Sequence, residues 1–184
     1  VEQAKTFIYG FLFGSGDEKT GQIIGGTAAQ GKALKATFLR GLPKLQELID
    51  KLTAEFRSNA KTRKGKWGME FYDGWVTGLD GRPVHITSEH KVLVFVLQSD
   101  EAILMQTAVT LLHGWLQEKG WVHGEDYGFC AHAHDEFQVE VREDRIPEYR
   151  ELAEYSIERA GQILGIACPH KGEADVGDNW LETH

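Results

Sequence analysis

Apolar positions along this chain change their period near residue 67, from helical spacing to alternation. Residues 2–13, EQAKTFIYGFLF, predict a helix with Lys5 and Tyr9 one turn apart on one face. Gly14-Ser15-Gly16-Asp17 ends it and offers Asp17 as the cap of the next helix. Residues 18–26 and 28–40 read as short helices. Pro43 suits the first turn of a long amphipathic helix through about Ala60, and the basic run Lys61 to Lys66 reads as a loop. Beyond it, Trp67 to Phe71, Gly74 to Thr77 and Pro83 to Thr87 are short and aromatic or β-branched. The turn dipeptides Asp73-Gly74 and Asp80-Gly81 punctuate them. Residues 89–118 form the longest helical candidate, although Val92 to Leu97 alone also fits a buried strand. Pro147 opens a helix through Leu164, and Ile166 to Val176 is expected to return as a last strand.

Between those two helices lies the most informative stretch, Ala133-His134-Asp135-Glu136. Alternating residues flank it, Tyr127 to Ala133 before and Phe137 to Val141 after. The pattern predicts a hairpin with a carboxylate pair at its tight connection. Such a tip holds side chains firmly yet leaves them open to solvent. Hard cations such as magnesium take oxygen ligands and keep part of their water shell, so one or two protruding carboxylates plus substrate phosphates make a site. Asp also favours turns for purely conformational reasons, so the pair alone is weak.

Charge sharpens the picture. The 184 residues carry a formal net charge of -8, which argues against a general nucleic-acid binder. Residues 1–66 hold twelve Lys/Arg against six Asp/Glu, however, and residues 67–184 hold eight against twenty-two. A basic first third and an acidic remainder imply one face for polyanions and another for cations. The expected division is a helical part, 1–66, and an acidic part, 67–184, carrying the hairpin. Cys130 and Cys168 sit in apolar, strand-like contexts without metal-type spacing, which predicts buried, reduced thiols. No apolar run reads as long enough to cross a membrane and no signal-peptide pattern opens the chain, so a cytoplasmic protein is expected.

Five segments then agree in order and spacing with one family. AKTFIYGFLFGSGDEKTGQI resembles the nucleotide-binding helix of family A DNA polymerases, especially the replicative enzymes of short-tailed phages. GLDGRPVHI, Leu97-Gln98-Ser99, His134-Asp135-Glu136 and the ending GDNWLETH are similar to its later landmarks. The resemblance implies an α+β fold: helical fingers over 1–66, and over 67–184 part of a palm, an antiparallel hairpin sheet backed by long helices. It implies that Lys5 contacts the phosphates of the incoming dNTP and protonates the leaving pyrophosphate. Tyr9 would lie under the sugar, favouring tolerance of sugars without a 3′ hydroxyl, and Phe13 would stack near the template base. Asp135 would hold catalytic Mg2+, two ions in the assembled site, with Glu136 as a lesser contributor. His134 would lie near the primer terminus and Gln98 would read minor-groove acceptors common to all base pairs. The implied reaction is two-metal phosphoryl transfer on primer-template DNA.

The chain also departs from the family. In the family the other metal-binding aspartate lies on a strand before the nucleotide-binding helix, and these 184 residues start at that helix. By the same resemblance the thumb and exonuclease-like domain would be missing too. The isolated chain is therefore expected not to polymerise without an N-terminal polymerase half. Val1 stands where the family has a phosphate-gripping arginine, Val94 where it has asparagine, and Asp100 and Glu101 where it has small residues. These departures keep open a non-catalytic remnant that binds DNA or another subunit. A second alternative is a metal-dependent hydrolase built on His132, His134 and Asp135.

Overall fold

The computed structural model describes residues 2–66 and 68–183. Val1 at the phosphate-gripping position, Trp67 at the expected strand start and His184 at the end of the C-terminal motif lie outside the described residues. The chain forms two compact units, Val1–Ser99 and Asp100–His184. The change of composition near residue 67 falls within the first of them.

In the first unit, helix α1 (Glu2–Leu12) is followed by α2 (Asp17–Ile23), α3 (Ala28–Gly41) and α4 (Pro43–Asn59). Phe7 and Phe11, on the face of α1 away from Tyr9, pack edge-on against Phe38 of α3, with ring centroids 5.3 and 5.1 Å apart. A glycine turn ends α1: Gly14 has φ 72°, its N–H donates to the Phe11 carbonyl, and Ser15 N–H reaches back to Gly10. A Cβ at Gly14 would lie 2.4 Å from the His90 carbonyl, so this turn accepts no side chain.

Helices α2 and α3 cross closely. Thr27 and Gln30 form a reciprocal capping box at the start of α3. A Cβ on Gly31 would stand 2.2 Å from the Asp17 carbonyl oxygen and 2.6 Å from the Gly21 nitrogen. Those neighbours are backbone and cannot rotate away. Gly31→Ala is expected to destabilise this unit by about 2–3 kcal/mol. A lower urea midpoint at unchanged slope would register it, and a midpoint equal to the parent's would refute it.

The sheet of this unit has the order β1-β2-β3, from β1 (Lys61–Gly65), β2 (Gly68–Thr77) and β3 (Pro83–Ser88), all antiparallel. The basic run read as a loop is thus an edge strand. Its lysines and arginine carry no apolar alternation, yet each residue pairs with β2, from Lys61 opposite Tyr72 to Gly65 opposite Gly68. Lys61 pairs with Asp73 and Arg63 with Glu70, and the Arg63 guanidinium lies 5.1 Å from the Tyr72 ring centroid. Charged side chains are a common protection for a strand edge. The two strands expected over 67–77 are one. Asp73, read as a turn residue, takes a positive φ of 52° inside β2, where the strand passes from pairing with β1 to pairing with β3. Lys61 and His85 both hold the Asp73 carboxylate, the lysine more strongly, and keep it below the usual carboxylate range. The core of the unit gathers Leu52, Phe56, Val76, Ile86, Val92 and Val96.

Helix α5 (Val92–Glu118) begins in the first unit and ends in the second, and Val92 to Leu97 is helical throughout. Within Glu89–Glu118 an 18-residue window of mean hydropathy 1.4 makes this helix long and apolar enough to cross a membrane by length and composition, contrary to the expectation of no such run. Its apolar residues serve as core: Val92 and Val96 in the first unit, Leu104, Ala108, Leu112 and Leu116 in the second. A helix apolar on most sides fits that use.

The second unit holds the expected hairpin, β4 (Tyr127–Ala133) and β5 (Glu136–Val141), with α6 (Ile146–Ile163). Tyr127, Phe129, Phe137, Val139 and Val141 pack on Leu112, Leu116, Tyr149 and Ala153. A bulge between Phe129 and Ala131 puts Cys130 out of register, and its thiol is exposed, as is that of Cys168. The prediction of buried thiols fails there, because a bulged residue leaves the alternation that its sequence context suggests. Ile166 joins a core cluster beside α6, but 166–176 contains no strand.

Candidate functional site

Each unit assembles one group of the residues singled out from the sequence. On α1, Lys5, Tyr9 and Phe13 follow one another at four-residue steps and are all exposed. Tyr9 is 53% and Phe13 56% exposed, while Phe7 on the opposite side of the helix is buried, so this face is presented rather than packed. The Lys5 ammonium stands 5.9 Å from the Tyr9 ring centroid, which keeps a cation and an aromatic face together. Phe13 lies just past the helix end, its N–H still bonded to the Tyr9 carbonyl.

Gln98 is also exposed, on α5. Val94, one turn earlier, is buried at 8% exposure and belongs to the apolar side of the helix. A polar residue there would need a buried partner, which accounts locally for valine. Asp100 and Glu101 are half-buried.

The second group sits at the hairpin. Ala133 pairs with Glu136, so His134 and Asp135 form a two-residue connection. His134 has φ 54°, a left-handed conformation that costs an L-residue roughly 1–2 kcal/mol. The tight turn sets Asp135 exposed at the tip, with Glu136 half-buried at the first position of β5. Glu136 is held: Gln138 Nε2 donates to its Oε1 at 2.6 Å. The other face of the Gln138 amide accepts from Thr183 Oγ1 at 3.1 Å. The C-terminal motif and the carboxylate pair, read separately in the sequence, are therefore joined through Gln138. Neither Gln138 nor Thr183 was singled out. The only signals were the place of Thr183 within the C-terminal motif and the closeness of Gln138 to the carboxylate pair, since their contact spans 45 residues.

A cleft of about 800 Å³ opens beside the hairpin within this unit. Asp135, Glu136, Glu140, Tyr149, Arg150 and Glu154 are among its walls. Glu154 is kept below the usual carboxylate range, first by its bond from Arg150 and then by the Ala174 N–H. Burial pushes the Tyr149 phenol well above its ordinary value.

Among the described residues, no three His, Cys, Asp or Glu side chains gather into a metal-holding group. Zinc would need such a set. His132 lies on β4 but His134 lies in the turn beyond it, so the alternation that would have aligned them on one strand face does not extend to both. The hydrolase alternative thus lacks a ligand set. Asp135 with Glu136 supplies oxygen donors of the kind magnesium takes, enough for part of its shell.

The architecture matches that of a polymerase domain. The POL domain of Pol1 from M. smegmatis, solved in complex with DNA primer-template and dNTP, superposes with a TM-score of 0.69 over 86% of this chain and 27% of that one, at 15% identity. The sequence is matched over residues 2–182 by the model of DNA polymerase family A, and the chain belongs to that family. It is 36% identical over its full length to the DNA-directed DNA polymerases of Enterobacteria phage T3 and Escherichia phage T7. It is 27% identical to the thermostable DNA polymerase I of Thermus filiformis over 98% of its length. The chain spans 26% of the length of either phage relative.

Proposed function

We propose that this chain is the C-terminal part of a template-directed DNA polymerase. It would add deoxynucleotides to a primer 3′ end by two-metal phosphoryl transfer, together with an N-terminal half that carries the second metal-binding aspartate. In this reading residues 1–66 act as fingers and 67–184 as palm. The observation that carries it is the hairpin tip, where an exposed Asp135 adjoins a tethered Glu136 in a strained two-residue turn. Strain of this kind is kept where surrounding structure enforces it, and it collects at functional sites.

Asp135, with Glu136 beside it, would hold part of the magnesium shell, and the triphosphate and the partner aspartate would complete it. When bound, paired divalent ions stabilise both the attacking and the leaving oxygen of an in-line displacement. The chain's own residues do the rest. Lys5 pairs with the triphosphate and gives a proton to the pyrophosphate oxygen as negative charge builds there. Tyr9 supports the sugar, and Phe13 stacks near the template base. Gln98 donates to minor-groove acceptors, which suits an enzyme that leaves sequence choice to base pairing. His134 orients the primer terminus.

A chimera tests this: the chain replaces the corresponding C-terminal part of the phage T7 polymerase, to which it is 36% identical. The chimera is expected to extend a primer by one templated nucleotide, and the 184-residue chain alone is not. A folded chimera that binds primer-template but extends nothing would make the chain a non-catalytic remnant.

A further inference from the structure

We propose that Gln138 and Thr183 are positioning residues for the carboxylate pair, so that the C-terminal turn sets how tightly the hairpin holds a divalent cation. The inference rests on the polymerase reading of the hairpin. An ionised carboxylate only accepts hydrogen bonds, so the Gln138 nitrogen must face Glu136 Oε1, 2.6 Å away. The amide carbonyl then points the other way and needs a donor. Thr183 Oγ1 supplies it at 3.1 Å, closer than its other acceptor, the Trp180 carbonyl at 3.3 Å. The hydroxyl thus selects one of the two amide orientations, and the amide restrains Glu136 Oε1.

The turn that presents Thr183 is itself built by side chains. Glu182 accepts from the Asp178 N–H at 2.9 Å and from Asn179 Nδ2 at 2.7 Å. These bonds close a loop around the single 3-10 turn Trp180–Glu182. Residues 178–183 are thereby a preformed bracket rather than a loose tail. Outer partners that orient a metal's carboxylates commonly change its affinity by about 10–100-fold when removed.

The test uses the 184-residue chain and Mn2+, an oxygen-seeking octahedral probe whose paramagnetism broadens nearby amide signals. Broadening of the 133–137 amides is followed as Mn2+ is added. Gln138→Met keeps the volume and removes both bonds. It is expected to raise the midpoint roughly tenfold. Thr183→Val removes only the outer donor, so roughly threefold is expected, with a shift of the Gln138 side-chain amide signal. Thr183→Ser keeps the hydroxyl and restores the parent midpoint. The double variant Q138M/T183V should match Q138M alone, because the two residues act as one relay. Midpoints for Q138M and T183V within twofold of the parent, in a chain where Asp135→Asn abolishes the broadening, overturn the relay and leave the polymerase reading standing. Broadening that survives Asp135→Asn overturns both. Unchanged amide dispersion elsewhere verifies the fold of each variant.

Discussion

Asp135→Asn in the chimera is expected to lower the single-turnover rate of nucleotide incorporation by about 10³-fold or more, with primer-template affinity staying within about threefold. The side chain is exposed at a turn, so the substitution removes charge with little packing cost, within about 0.5 kcal/mol of stability. Asparagine keeps the shape and can still occupy the turn. What it loses is the anionic oxygen that, in the proposed reading, would hold a divalent ion against the triphosphate. A loss of about 4 kcal/mol of transition-state stabilisation corresponds to that thousandfold. Rapid-quench measurement over a range of Mg2+ concentrations makes the test specific. A rate within tenfold of the parent at saturating metal would show that position 135 is not a metal ligand. A collapse of DNA affinity instead would assign it to the duplex.

The second large effect falls on α1. Lys5→Ala is expected to slow the same step by about 10²–10³-fold, the scale for losing one preorganised group at a site of developing charge. The helix itself should survive, since alanine is its best former and Lys5 is exposed. Lys5→Arg separates the two parts of the role. A guanidinium keeps the positive charge, so nucleotide affinity should largely return. It does not give up its proton at ordinary pH, so the chemical rate should stay low. Full recovery of rate in the arginine variant would remove proton transfer from the assignment and leave only charge. An unchanged rate in Lys5→Ala would remove Lys5 from the site altogether.

Both predictions start from residues visible in the sequence. Lys5, Tyr9 and Phe13 share a face because a helix repeats every 3.6 residues, and the buried Phe7 and half-buried Phe11 mark the opposite side. Asp135 falls at a turn because strict alternation stops at Ala133 and resumes at Phe137, leaving almost no room for the chain to reverse. Local period and local turn chemistry decide both placements, and nothing distant is needed.

Where the sequence misled, a distant partner decided. Lys61 to Gly65 has the composition of a loop, and only the β2 ladder makes it a strand. Asp73-Gly74 reads as a reversal, but flanking strands on both sides carry the chain straight through it. Cys130 looks buried by its neighbours and is turned out by a bulge that exists only once β5 is in register. The segment 166–176, expected as a last strand, forms none.

By itself, then, the amino-acid order determined which segments are helices, where the main hairpin turns and which charged groups stand on its tip and on α1, because each depends on interactions within one or two turns of chain. The tertiary structure alone decided strand partners, bulges, close helix crossings such as that at Gly31, and the bridge from Thr183 through Gln138 to Glu136. Those contacts join residues far apart in the chain, and no periodicity records them.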